Sequence, residues 1–243
     1  MKKIIEVCVE NVVAGLEALD LGADRLELCS ALGLGGLTPS LGSFIILEEK
    51  YPEKTHVLIR PRMGNFVYNK VEKENIEADC SIFAENRCKH LVIGALLEDN
   101  SPDYEFLNKI VNLHPSINFT FHRAFDVLKD PDQHIQQLAE IGFRRILTSG
   151  GHNTALEGIN NIATWQSKFG HLIEIMAGGG ITEHNIEEIF EISQIKAAHL
   201  SLKEWFEPEN TSHLNLNSTL FSGSGYWKLK KNDLKKILIK INQ

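Results

Sequence analysis

The stretch Asn118-Phe119-Thr120-Phe121-His122-Arg123-Ala124-Phe125-Asp126 decides the fold. Successive side chains of a strand point to opposite faces, so Phe119 and Phe121 fall on one side and Asn118, Thr120 and His122 on the other. The strand ends in His122, Arg123 and Asp126. Asp130-Pro131 then reads as an N-cap followed by proline at the first helical position. The unit is a strand, a polar loop and a helix.

Working outward, the same unit recurs. Strands are predicted at Ile4–Cys8, Asp24–Cys29, Val57–Arg60, His90–Leu96, Arg145–Ser149, Ile173–Ala177 and Ile195–Ser201. Between them apolar residues return at helical spacing: Val12, Leu16 and Leu19 after Asn11, and Phe106, Leu107 and Ile110 after a Ser101-Pro102 start. Thr154 and Glu157 form a capping box ahead of Leu156, Ile159 and Ala163. Eight strands alternating with eight helices in 243 residues predict an α/β chain that is a single (β/α)8 TIM barrel, whose usual size is about 250 residues. The expected domain is 1–243, with a variable segment after about residue 201.

Composition narrows the partners. The formal net charge is −7, the pI is near 5.8, and Lys228-Leu229-Lys230-Lys231 is the one basic run that stands out, which argues against nucleic acid. No apolar stretch approaches the roughly 20 residues that span a bilayer, and Met1-Lys2-Lys3 leads into a strand-like run rather than a signal core. The expectation is a cytoplasmic protein with no membrane partner. Cys8, Cys29, Cys80 and Cys88 lack a CxxC pairing and in that compartment remain thiols.

Parallel strands buried on both faces should be continuously apolar, and these are not. With the apolar face turned to the helices, the lumen receives Glu6, Glu27, Glu174, Arg25, Arg60, His122 and His199. Charges buried there are tolerable only as an interlocking ion-pair network. Barrel active sites lie at the C-terminal ends of the strands. Cys8, Cys29, Arg60, Arg62, His122, Arg123, Asp126, Ser149 and His199 gather at that end.

The residues that carry this reading also carry a resemblance. Glu6-Val7-Cys8, Gly22 to Cys29, Gly35-Gly36-Leu37-Thr38-Pro39-Ser40, Ile59-Arg60-Pro61-Arg62, Thr120 to Asp126, Leu147 to Gly151 and Met176 to Ile181 resemble the CutC copper homeostasis protein family. The resemblance runs in order from Glu6 to about Ser201. It implies a (β/α)8 barrel, a cytosolic location, and copper handling with Cu(I) binding. Asn65 stands where the family has an aspartate.

Two chemistries compete for the mouth. Cu(I) prefers soft thiolates, and Cys8 and Cys29 end adjacent strands about 4.8 Å apart; Met176 and His122 are further ligand candidates. The alternative is an enzyme acting on a small phosphate- or carboxylate-bearing metabolite. Arg60, Arg62 and Arg123 would bind the anion, with backbone amides of the loops at Ser149, Gly150 and Gly179 and with His199. His122 would be the acid or base, oriented by Asp126 or Glu27, and Glu6 a second proton-transfer group. No lysine is placed for a Schiff base, no HxH or HExxH pattern is present, and no organic cofactor is expected. A third reading turns on Trp205, Phe206, Phe221, Tyr226 and Trp227, which either cover the barrel end or form an association surface; a homo-oligomer is an open partner.

Overall fold

The computed structural model describes residues 2–207 and 225–242. Eight parallel strands, β1 (Ile4–Val9), β2 (Arg25–Leu28), β3 (Thr55–Leu58), β4 (His90–Ile93), β5 (Asn118–Phe121), β6 (Phe143–Thr148), β7 (Glu174–Gly178) and β8 (Ala197–Leu200), close into a barrel in sequence order. The closure is β1 against β8, with Glu6 in register with His199. Helices α1 (Val12–Asp20), α2 (Leu41–Lys50), α3 (Lys70–Glu85), α4 (Tyr104–Leu113), α5 (Pro131–Glu140), α6 (Ile159–Phe169), α7 (Ile186–Ser193) and α8 (Lys231–Ile241) complete the (β/α)8 fold. A short antiparallel pair, β9 (Lys203–Phe206) and β10 (Tyr226–Leu229), precedes α8.

The outward strand faces form the core. Ile5, Val7, Leu26, Leu28, Phe119, Phe121 and Ile175 pack in one buried cluster with Phe44, Leu47, Leu107, Ile110 and Ile135 of the helices. Each such side chain contributes about 1.5–3 kcal/mol by leaving water. Asn11 caps α1 through the Ala14 amide, and Asn69 with Glu72 makes a reciprocal capping box on α3.

Three predicted starts differ. Asp130 adopts a left-handed conformation and its side chain accepts no capping bond, so Pro131 alone sets the first turn of α5. Asp103, not Ser101, caps α4. The Thr154 and Glu157 bonds are both present, yet α6 begins later, at Ile159, so the box closes a turn ahead of the helix. Trp205 stacks edge-on with Trp227 across the β9–β10 pair, and Phe206 with Tyr226; Phe221 lies outside the described residues.

The lumen floor is ionic. Arg25 donates to Glu6 at 2.7 Å and to Glu174 at 2.8 Å. Arg145 also donates to Glu174, and to Thr120 Oγ1 at 3.0 Å. His56 Nδ1 lies 3.2 Å from Glu6 Oε2, and its ring stacks on His90 at 4.3 Å. Arg145, His56 and His90 therefore join the lumen set that alternation had assigned to Glu6, Arg25 and Glu174. Burial alone would push the Glu6 carboxyl up, but Arg25, His199 and His56 together hold it well below the usual carboxylate range.

Candidate functional site

Toward the C-terminal ends of β1 and β2 lies a thiol pair. Cys8 on β1 and Cys29 just beyond β2 bring their Sγ atoms to 3.8 Å. They sit in a small apolar pocket with Leu58, Val92 and Leu32. The Cys8 thiol donates to Glu27 Oε1 at 3.5 Å and the Cys29 thiol to the Val9 carbonyl at 3.5 Å. Contact with Cys29, burial and the charge of Glu27 push the Cys8 thiol well up, so Cys8 would have to lose its proton before its sulfur could ligate a metal. Cys80 and Cys88 are also buried, on the helical layer and away from the mouth.

Glu27 and His199 stand beside the pair. His199 Nδ1–H donates to Glu6 Oε1 at 2.8 Å, which leaves Nε2 as the free ring nitrogen. One donor atom each from Cys8, Glu27 and His199 lies within 4.8 Å of the other two. Burial would lower the imidazole, but the Glu27 and Glu6 carboxylates outweigh it and raise His199 above its ordinary value. Burial pushes the Glu27 carboxyl up in turn. Its Oε2 has no hydrogen-bond partner among the described residues.

Met176 does not join the thiols, because its sulfur accepts from Arg25 Nη2 at 3.1 Å in the floor. His122 is held elsewhere. The Ala124 amide donates to its Nδ1 at 3.1 Å, and its ring lies 4.7 Å from that of Phe66. Burial and the nearby Arg60 charge bring it down to about 3. The imidazole is held neutral; with Nδ1 accepting from Ala124 its proton sits on Nε2, which has no hydrogen-bond partner among the described residues. Neither Asp126 nor Glu27 orients it.

Asp126 has a different employment. Its carboxylate accepts from Thr148 Oγ1, from the Ser149 amide and hydroxyl, from the Gly151 amide, and from Arg123 Nε at 2.7 Å. The amide nest expected after β6 to receive a foreign anion already holds this carboxylate. Gly150 is part of the same turn, at φ +75° and so close to Gly158 that an added Cβ would lie 2.3 Å from its carbonyl oxygen.

The arginines divide. Arg60 spends its guanidinium on the carbonyls of Gly35, Gly36 and Gly64, at 3.0, 3.1 and 2.7 Å, clamping the loops after β2 and β3 together. Arg62 pairs with Glu72 and donates to the Val67 carbonyl. Both build loops. Arg123 donates to Asp126 and, through Nη2, to Ser149 Oγ at 2.7 Å, and it also lines a cleft of about 580 Å³ with Gly179, Gly180, His199 and Ser201. Its guanidinium would lie 3.3 Å from a Cβ placed on Gly179, where φ is +102°, so only glycine lets the loop after β7 approach that charge.

Comparison with known proteins follows the same segments. The CutC family model matches residues 3–204. A CutC family protein of Histophilus somni is 36% identical over 220 residues, covering 90% of this chain and 89% of the relative. The human protein named copper homeostasis protein cutC homolog is 38% identical over 200 residues, covering 82% and 73%. The crystal structure of CutC from Streptococcus agalactiae superposes with a TM-score of 0.78 at 36% identity, covering 82% of this chain and 98% of that one. Phosphoribosylanthranilate isomerase from Thermotoga maritima, at 13% identity and a TM-score of 0.60, shares the fold alone. With the barrel strands, the thiol pair and the ionic floor all inside the matched span, the chain belongs to the CutC family.

Proposed function

We propose that this protein binds Cu(I) in copper homeostasis, holding the ion between the thiolates of Cys8 and Cys29. The observation that carries this reading is the 3.8 Å approach of the two sulfurs in a buried apolar pocket. Two buried thiolates suit a soft monovalent ion that accepts low coordination numbers. The names of the human and mouse relatives agree with it. A reducing compartment such as the cytosol would keep the pair reduced, and no helix among the described residues is long and apolar enough to cross a membrane.

The test is Cu(I) competition against a chelator under anaerobic, reducing conditions. Cys8→Ser and Cys29→Ser should each weaken binding strongly, and Cys80→Ser and Cys88→Ser should not. Equal weakening by all four would mean that copper is scavenged by any thiol, and the reading would fail.

A second reading rests on the Arg123 cleft. A guanidinium beside the Gly179 and Gly180 loop, with His199 on the same wall, suits a small phosphate or carboxylate. Binding of such an anion at the mouth is compatible with metal bound beneath it.

A further inference from the structure

Glu27 is the anomaly of the site. Its carboxylate is 6% exposed, receives one long bond from a thiol, and leaves Oε2 without a partner among the described residues. Buried carboxylate oxygens are ordinarily satisfied, since an orphaned one keeps its desolvation cost uncompensated. Every other carboxylate of the lumen has an arginine: Glu6 has Arg25, and Glu174 has Arg25 and Arg145. The floor thus shows how this barrel neutralises an acid, and Glu27 is the exception, placed next to Cys8 and His199.

We infer that Cys8, Glu27 and His199 form a second metal site, for a divalent cation of the zinc class. The set offers one sulfur, one oxygen and one imidazole nitrogen, the donors that zinc accepts. The three atoms lie within 4.8 Å of one another. Ligand atoms about 2.0–2.3 Å from a tetrahedral ion sit closer together than that, so ligation draws them inward. His199 is already oriented for the task. Its Nδ1–H is held by Glu6 at 2.8 Å, the carboxylate–histidine support that fixes a ligating imidazole and makes it more basic. Soft Cu(I) does not need that arrangement, whereas a harder divalent ion uses the carboxylate and the imidazole.

Three protein ligands leave one coordination position for water or another ligand, and His199 also lines the Arg123 cleft. The site goes beyond the thiol-pair reading and shares only Cys8 with it; one sulfur serves either ion, with Cys29 as the copper partner and Glu27 and His199 as the divalent partners.

Co2+ is the probe, titrated into the full-length reduced protein without oxygen. One ion per chain should bind, with the visible absorption of four-coordinate Co2+ and a thiolate-to-metal charge-transfer band in the near ultraviolet, and Zn2+ should displace it. Glu27→Gln should weaken Co2+ by about tenfold or more. This variant keeps the shape of the side chain and removes no bond except the long one from Cys8, so its melting temperature and circular dichroism check the fold independently. His199→Gln should act in the same direction, and Cys8→Ser should abolish the charge-transfer band.

Cys29→Ser should lower Cu(I) affinity more than Co2+ affinity, and Glu27→Gln should do the reverse. If Cys29→Ser costs Co2+ as much as Glu27→Gln does, or if folded Glu27→Gln binds Co2+ like the parent, the second site does not exist. Failure of Cu(I) binding with the Co2+ pattern intact would remove only the copper reading.

Discussion

Arg25, on the second strand of the barrel, reaches Glu174 on the seventh at 2.8 Å while its Nε holds Glu6 at 2.7 Å on the first. One guanidinium thus ties three strands from inside. Truncating one member of a buried ion pair leaves the other charge uncompensated, at a cost of about 3–5 kcal/mol. Arg25→Ala should show that loss in a urea titration. Lys168→Ala, which breaks an exposed pair with Asp132, should cost under about 1 kcal/mol. Similar losses at both positions would mean that the floor does not hold the barrel.

Acid should destabilise the protein well above the carboxylate range. His122 falls to about 3 in the folded chain, against about 6.5 unfolded. The unfolded state therefore takes up a proton that the folded state refuses. The contribution is fully present above about pH 6.5 and is lost as pH falls, at up to about 1.4 kcal/mol per pH unit. Glu6, held low by its cationic neighbours, adds a loss below its unfolded value, as pH approaches its folded one. Denaturation curves from pH 7 to 4 should slope accordingly, and His122→Gln should flatten the upper part. An unchanged slope would contradict the neutral imidazole.

Copper affinity should depend steeply on pH. Because Cys29, burial and Glu27 keep the Cys8 thiol protonated, Cu(I) must displace its proton, and each displaced proton changes apparent affinity by about tenfold per pH unit. Chelator competition at pH 6, 7 and 8 should show tighter binding at each step. A flat profile would place the metal on groups already deprotonated.

Phosphate should raise the melting temperature with concentration, because a ligand specific to the folded state stabilises it by mass action. Arg123→Ala should remove most of that rise. Arg62→Ala should lower the starting temperature, through loss of its bonds to Glu72 and Val67, yet keep the phosphate response. A rise that survives Arg123→Ala would belong to general salt effects.

The barrel was legible because its period is written into single strands: Phe119 and Phe121 against Thr120 and His122 on β5, Leu26 and Leu28 against Arg25 and Glu27 on β2. Where a strand was started late, its lumen residue vanished. Reading the third strand from Val57 omitted His56, which β3 (Thr55–Leu58) carries into the floor. Arg145 and His90 each open a predicted strand, and extending the alternation to β6 and β4 would have placed both. The roles at the mouth were harder to read. Arg60 and Arg62 look like anion ligands in sequence, but their acceptors are carbonyls and a glutamate up to about 25 residues away, a loop geometry that no local pattern encodes. Asp126 likewise meets the amide and hydroxyl donors of Thr148, Ser149 and Gly151 only through the packing of two neighbouring loops.

The ionic floor also makes the barrel a vessel with one door. Arg25, Arg145, His56, Glu6 and Glu174 close the lumen beneath the sulfurs, so an ion bound at Cys8, as proposed above, would have no route onward through the protein. Loading and unloading would then share the same opening. A donor presenting the ion there would have to withdraw before an acceptor could collect it, an arrangement suited to holding and handing back rather than to passing a cargo through.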